Sequence, residues 1–260
     1  ISANEVADHS VFVSHWLKNL YIQQGLTNKN ISVILAGADK KVFNNEGLEI
    51  WNKKAPLKIV THHWGGNWNK GFDIYQKLDL LIDSDDWSKK IEFTYIGNLP
   101  NKFTFKNSNH IEPISGKKMA NAIKKNHVYL TASLNEPSGN HHIEAAQCGM
   151  PILYIDSGGT PEYCEGFGLM FSNENFENIL IKMMSEYSHY YKKMSSYPHN
   201  SEIMCKEYES LFIDLYKNKF EIINKREIKL GKNKLGEKIY FLKKAIKLKV
   251  NNDYKYGEQD

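Results

Sequence analysis

The feature that most constrains the fold is a regular alternation of short apolar segments with segments of helical periodicity between Leu57 and Phe171. The apolar segments have the length of buried strands. Strands are predicted at 57–61, 91–96, 111–114, 127–131, 151–155 and 168–171, and helices at 71–82, 116–125 and 140–148. Because strands that alternate with helices pair in parallel through crossovers, we predict an α/β fold with a parallel sheet and helices on both faces.

Composition and charge exclude several classes of protein. Of the 260 residues, 41% are hydrophobic and 25% are charged, which is typical of a globular protein with a packed core. The net charge of +4 is too small to indicate a nucleic-acid-binding protein. No apolar run approaches the ~20 residues of a membrane-spanning helix. We expect no signal peptide, because residues 1–5 are neither basic nor followed by a long apolar segment.

The three cysteines, Cys148, Cys164 and Cys205, lack C-x-x-C spacing. An odd number without that spacing argues against a disulfide framework and against a structural zinc site. We therefore expect a protein of a reducing compartment, located in the cytoplasm.

Three loops follow the carboxyl ends of predicted strands, at residues 62–70, 132–139 and 156–162. In open parallel sheets, ligands bind at this end of the strands. The sequence therefore predicts a ligand site that is built from these loops.

Two carboxylates, Glu136 and Glu144, stand eight residues apart across the second loop and the helix after it. In the Pro-Ser-Gly segment between them, Gly139 lets the backbone approach a ligand closely. We expect Ser138 or Asn140 to cap the helix, with free amides at its start for an anion. Both carboxylates then face one ligand, from the loop and from the first turns of the helix.

The first loop is rich in glycine and reads THHWGGNWNKG. Lys70 is a compact cation suited to phosphate oxygens, and the start of the next helix adds to the same field. We expect Gly65, Gly66 and Asn67 to line the same ligand.

These motifs together resemble the donor-binding half of family-4 GT-B glycosyltransferases. The Glu pair, with seven residues between its members and Pro and Gly among them, carries most of the resemblance, which covers roughly residues 5–216. Further matching segments are Cys148–Pro151, Gly158–Glu162, Asp8–Phe12, Ser14, Gly37–Asp39 and Phe43.

That resemblance implies a Rossmann-like sheet, the C-terminal half of a GT-B fold, which binds a nucleoside diphosphate sugar without a cofactor or catalytic metal. By motif position, Glu136 would hold hydroxyls of the donor sugar, and Glu144 the hydroxyls of the ribose. The amides that would meet the sugar and the phosphates are those of Ser138, Gly139, Asn140 and His141.

One phosphate ligand of the family pattern is missing. The family has an Arg five residues before the Lys, where this chain has Gly65. Our hypothesis is that His62, His63 or Asn67 replaces that contact.

Other kinds of site fit the sequence less well. The adjacent pairs His62-His63 and His141-His142 lack H-x-x-x-H and H-E-x-x-H spacing, so we expect no metal. A serine hydrolase would need G-x-S-x-G, and a dinucleotide site would need G-x-G-x-x-G; neither is present.

We expect four regions. Residues 1–45 would end an N-terminal domain and form the linker, 46–190 the nucleotide-sugar-binding domain, 191–220 helices that pack back, and 221–260 a basic tail. The first residue is Ile, within an apparent structural unit, so we expect a part of a longer protein.

Residues 238–250 of the basic tail alternate apolar and basic side chains. This segment either lies on the inner face of a membrane or stays solvated, and the solvated interpretation is favoured.

The predicted function is retaining transfer of a sugar from a UDP- or GDP-sugar to a glycan or lipid-linked acceptor. Glu136 and Lys70 are the predicted catalytic residues, with Lys70 stabilising the leaving diphosphate and Glu136 orienting the sugar. Two alternatives stay open: a nucleotide-sugar-binding fragment without activity of its own, and a GT-B sugar-nucleotide epimerase.

Overall fold

The structure is a computed structural model, and it describes residues 2–226. The chain divides into two units, of which the first ends at Lys217 and the second begins at Asn218. Most of the predicted basic tail, including residues 238–250, lies outside the described residues, so its membrane role stays a prediction. Among residues 2–226, no helix is long and apolar enough to cross a membrane.

Strands and helices alternate through most of the first unit. The strands are β1 (Ser10–Phe12), β2 (Ile31–Val33), β3 (Leu57–His63), β4 (Ile91–Gly97), β5 (Asn109–Ile111), β6 (Val128–Thr131), β7 (Ile152–Ile155) and β8 (Gly168–Phe171). The helices of that unit are α1 (Ser2–Val6), α2 (His15–Gln23), α3 (Phe72–Ile82), α4 (Asp85–Ser88), α5 (Gly116–Ile123), α6 (Asn140–Gln147), α7 (Thr160–Cys164), α8 (Phe176–Lys193) and α9 (Ser201–Lys217). The described part of the second unit holds α10 (Lys219–Lys225).

Six of the strands form one parallel sheet in the order β5-β4-β3-β6-β7-β8. The chain adds strands outward from β3 in one direction and then, from β6, in the other. This is the doubly wound order, and its reversal lies between β3 and β6. The predicted α/β fold with a parallel sheet is thereby confirmed.

Helices cover both faces of this sheet, as the sequence predicted. Helices α3 and α8 pack on one face, and α5, α6 and α7 pack on the other. Alternate strand residues reach the two layers: Ile59 packs with the first and Val60 with the second, and both are fully buried. Because both faces are covered, the central strands are buried at nearly every position: β6 is buried throughout, and β3 is buried at every residue except Lys58.

Two prolines explain where the predicted boundaries were wrong. The strand predicted at 111–114 is β5, at Asn109–Ile111; Pro113 follows and cannot donate to a sheet ladder. The loop predicted at 156–162 contains the start of α7, with Pro161 in its first turn. Proline is tolerated there because the first helical N–H groups have no partner within the helix.

A small parallel sheet of β1 and β2 is held to the main sheet through α7. The hydroxyl of Tyr163 donates to the backbone oxygen of Val13 and accepts from the N–H of Ala36, at 3.0 Å. The Glu162 carboxylate accepts from the first two N–H groups of α2, at 2.8 and 2.7 Å. Two adjacent side chains of α7 thus fix the ends of both short strands and the start of α2.

Replacing Tyr163 with Phe should lower the free energy of unfolding by about 1–3 kcal/mol, because the backbone groups of Val13 and Ala36 lose their partner. Tyr197→Phe is the matched control: its buried hydroxyl has no hydrogen-bond partner among residues 2–226, so its removal should cost little. Urea denaturation followed by circular dichroism would measure both. Equal losses in the two variants would contradict the role given to Tyr163.

Candidate functional site

Strands β3 and β6 part at their carboxyl ends, where the strand order reverses, and we call the space between the loops that follow them the crevice. The two strands pair only at Ile59 with Val128 and Val60 with Tyr129. Strand β3 continues to His63 alongside β4, so its last residues have no neighbour from β6. The loops after these two strands therefore flank a gap in the sheet, which is where ligands bind in doubly wound folds.

An ion pair joins the two loops across this gap. The ammonium group of Lys70 lies 2.7 Å from Oε2 of Glu136, and the two side chains are 28% and 16% exposed. Lys70 ends a short 3₁₀ helix, Trp68–Lys70, just before α3. The N–H of Leu134 also donates to the carbonyl of Asn69, at 2.8 Å. The structure thus brings together the two predicted catalytic residues from segments 66 positions apart.

The loop after β7 holds the backbone at Glu136. Gly159 donates its N–H to the Glu136 carbonyl at 2.8 Å, and Ser157 Oγ accepts from the N–H of Asn135 at 2.8 Å. Gly158 has a φ of +66°, and a Cβ there would lie 2.3 Å from the Glu136 oxygen. Only glycine fits this approach without displacing backbone. All three predicted loops therefore meet at Glu136.

Helix α6 begins beside Glu136, and its N-cap residue differs from the prediction. The N-cap is Gly139, with a φ of 73°, and neither Ser138 nor Asn140 takes that position. A left-handed backbone favours glycine, and a Cβ at Gly139 would lie 2.5 Å from the ring of His142. Because glycine has no side chain to accept from the first helical amides, those amides are available to an anion.

The second carboxylate, Glu144, contacts the end of β3. Its Oε2 lies 3.0 Å from Nε2 of His62, whose ring also contacts the hydroxyl of Tyr129. The side chain of His62 is 5% exposed and that of Glu144 is 25% exposed. Glu144 therefore lies at the edge of the crevice, one and a half helical turns from Gly139.

Three further imidazoles are buried beside His62. His63 pairs with the hydroxyl of Tyr75 at 2.8 Å, and His141 pairs with that of Thr131 at 2.8 Å. Burial, reinforced by neighbouring imidazoles and by the charge of Lys70, lowers the pKa of His63 and of His141 well below 6.5. For His142, burial lowers the pKa to about 3. These rings are therefore neutral at pH 7.

The hydrogen bonds of these imidazoles to protein groups limit what the histidines can offer to a ligand. The side chain of His141 faces Thr131, so the group it keeps for a ligand is its backbone N–H. Within residues 2–226, no group of three or more His, Cys, Asp or Glu side chains is arranged to hold a metal. That the site works without a metal stays a prediction.

The position of the missing arginine lies beside Lys70. A Cβ on Gly65 would be 3.6 Å from Cε of Lys70 and 3.3 Å from the amide nitrogen of Asn67. Since His62 and His63 are 4% exposed and already hydrogen-bonded to protein groups, Asn67 is the remaining candidate among the three replacements. Gly66 fits closely as well, because a Cβ there would lie 2.5 Å from the Leu99 oxygen.

Sequence reasoning missed Ser157 and Tyr129 as parts of this site. Ser157 follows a strand and precedes two glycines, a signal that could have found it. Tyr129 gave no such signal, because an aromatic residue within a buried strand reads as core. Its hydroxyl contacts His62 only because β6 pairs with β3 at that residue.

The buried imidazole of His142 should make the protein labile to acid. Its pKa of about 3 in the folded state lies below the ordinary 6.5, so the unfolded chain binds the proton first as pH falls. Stability is therefore complete above about pH 6.5 and is lost as pH falls toward 3. Between pH 7.5 and pH 5, His142 should account for roughly 2 kcal/mol of the lost unfolding free energy.

Urea denaturation at the two pH values, on the natural protein and on His142→Asn, would test this. The variant should lose less stability on acidification, because asparagine does not titrate. An identical pH dependence in both proteins would be inconsistent with a neutral, buried His142.

Several solved structures share this fold at low sequence identity. A glycosyltransferase from Rickettsia africae matches with a TM-score of 0.65 at 12% identity, over 84% of this chain and 68% of its own. HepE of Anabaena, solved with UDP-glucose, matches at 0.61 and 16%, over 80% and 65%. TarM matches at 0.56 and 14%, over 79% and 43%.

The chain thus spans less than half of TarM and about two-thirds of the other two. No protein-family model and no curated protein sequence matches it. What the structural matches establish is the architecture: this chain has the α/β fold of GT-B glycosyltransferases.

Proposed function

We propose that this chain binds a nucleoside diphosphate sugar in the crevice between β3 and β6. It would be the donor-binding part of a retaining glycosyltransferase that transfers the sugar to a glycan or lipid-linked acceptor. The observation that carries the proposal is the contact of Lys70 with Glu136, 2.7 Å apart beside the glycine-capped start of α6. A cation, free helical amides and a carboxylate in one crevice suit a ligand with both phosphates and hydroxyls.

The diphosphate would occupy the space between Lys70 and the first amides of α6. The ammonium charge and the positive end of the helix dipole act on the same anion. Both lie in a partly buried crevice, where their attraction for phosphate is screened less than on an open surface. Lys70 would exchange the single negative charge of Glu136 for the larger charge of the diphosphate.

The two carboxylates would then bind the uncharged parts of the donor. Glu136, released from Lys70, would accept hydrogen bonds from hydroxyls of the sugar, and Glu144 would accept them from the ribose. UDP- and GDP-sugars are the proposed donors. The bound UDP-glucose of HepE, a protein of the same fold, favours the first of these.

In the proposed reaction, the bond between the anomeric carbon and the diphosphate oxygen breaks, and the acceptor hydroxyl oxygen bonds to that carbon on the same face. The proton of that hydroxyl passes to an oxygen of the departing diphosphate. Lys70 and the amides of α6 stabilise the charge that develops on the leaving diphosphate. Glu136 contributes orientation of the sugar. Because the chain spans only part of its structural neighbours, transfer is proposed for the whole protein.

Replacing Lys70 with Ala should weaken the binding of UDP or GDP about 10- to 100-fold, since a charge-assisted contact with the diphosphate is lost. Lys77→Ala is the matched control, because Lys77 is a lysine of α3 that contacts Glu177 and the Asn173 carbonyl. Titration calorimetry with a panel of nucleoside diphosphates would measure this. If no nucleoside diphosphate binds the natural chain at millimolar concentration, the proposed donor site is wrong.

Replacing Glu136 with Gln should separate binding of the sugar from binding of the diphosphate. UDP should bind as tightly as before or more tightly, because Lys70 no longer has a competing carboxylate. UDP-sugars should lose the affinity they have beyond UDP. Calorimetry with UDP and a set of UDP-sugars would show the difference, and an equal loss for UDP and UDP-sugars would argue against the sugar role of Glu136.

The whole protein, incubated with a UDP-sugar and a glycan acceptor, would separate the three functional hypotheses. A glycosyltransferase would release UDP with a retained glycosidic product. An epimerase would convert the sugar nucleotide, and a binding module would leave it unchanged.

A further inference from the structure

We propose that His62 is a positioning residue that orients Glu144 for the ribose of the nucleotide and so determines preference for ribonucleotides. This inference rests on the proposed function. It concerns a histidine of β3 that neither the motif nor the fold assigns to ribose recognition. Its basis is the hydrogen-bonded arrangement of His62, Tyr129 and Glu144 at the switch point.

The arrangement fixes the ring of His62 and the role of its Nε2. The backbone N–H of His62 donates to the Tyr129 hydroxyl at 3.0 Å. That hydroxyl lies 3.1 Å from Nδ1 and 3.4 Å from the carbonyl oxygen of the same His62. Because a carboxylate oxygen accepts, Nε2 is the donor in the contact with Oε2 of Glu144, at 3.0 Å.

Burial differs sharply along this set of contacts. Tyr129 is fully buried, the side chain of His62 is 5% exposed, and that of Glu144 is 25% exposed. The imidazole is therefore rigidly packed, while the carboxylate it contacts reaches solvent. One oxygen of Glu144 is engaged by the protein, and the exposed part of the same carboxylate is presented to a ligand.

The contact also spans the switch point. His62 belongs to the part of β3 that extends past its pairing with β6, whereas Glu144 belongs to α6, the helix that follows β6. A hydrogen bond between them sets the position of the carboxylate relative to both walls of the crevice. Glu144 alone has three rotatable side-chain bonds, and ordering such a side chain on binding costs conformational entropy.

Recognition of a ribose by Glu144 depends on a fixed orientation of its carboxylate. The hydroxyls at the 2′ and 3′ positions are adjacent, so a carboxylate must hold one orientation to accept from both. A side chain fixed in advance by a buried donor meets that condition without further loss of entropy. The expected effect of His62 is therefore confined to ligands that carry the hydroxyls.

His63 supplies a matched control within the same strand. It is 4% exposed, like His62, but it hydrogen-bonds to Tyr75 and packs against His141. Replacing either histidine disturbs the buried cluster. Of the two histidines, His62 is the one that contacts Glu144, so a loss of ribose preference should follow from its replacement.

The experiment is titration calorimetry of UDP against 2′-deoxy-UDP, and of GDP against 2′-deoxy-GDP. The proteins are the natural chain, His62→Ala, His62→Gln and His63→Gln. The natural chain should prefer the ribonucleotide at least tenfold, and His62→Ala should reduce that preference about tenfold, mainly by weakening the ribonucleotide. His62→Gln should restore most of it, because its amide donates from nearly the same place. His63→Gln should lower the melting temperature and keep the preference.

An unchanged preference in His62→Ala would overturn the inference while the donor site stands. A natural chain that binds UDP and 2′-deoxy-UDP equally would also overturn it. Binding of neither UDP nor GDP would overturn the proposed function itself. If His62→Ala does not fold, His62→Asn gives the same test, since asparagine stays polar but is too short to reach Glu144.

Discussion

The early parting of β3 and β6 is the constraint on which the rest of the structure depends. The two strands pair at only two positions, and β3 then continues for three residues beside β4. A helix must follow each strand on its own face, so the loops after them diverge and leave a crevice. Lys70 lies in the loop after β3 and Glu136 in the loop after β6. These are the two strands at which the strand order reverses, so the two side chains meet across the crevice.

Beneath the crevice lie buried histidines, at positions that apolar side chains occupy in most parallel sheets. Buried imidazoles are costly unless they are neutral and hydrogen-bonded. Here Tyr75, Tyr129 and Thr131 supply the partners for His63, His62 and His141. The protein thus maintains a polar interior beneath the site, at a cost in acid stability, and places one of its rings against Glu144.

Much of the fold was predictable because its signals are local. The apolar segments between Leu57 and Phe171 specify strands, and their alternation with helices specifies a parallel sheet. The cap of α6 was not predictable from local preference: Ser138 and Asn140 are good caps, yet the close approach of His142 and the left-handed turn require Gly139. The motif singled out Glu136, Glu144 and Lys70 as candidates, whereas the contact of His62 with Glu144 depends on strand register, which a single sequence does not specify.

Because position 65 is a glycine and not an arginine, Lys70 stands without the second cation of the family pattern. With one lysine rather than two cations, Lys70 and Glu136 are each other's partner across the crevice, at 2.7 Å. A diphosphate carries more charge than a carboxylate, so it would compete successfully for Lys70. The released Glu136 would then lie beside the sugar, the uncharged part of the donor. Binding of the phosphates would thereby prepare the carboxylate for the hydroxyls, and the smaller residue at position 65 leaves room for this exchange.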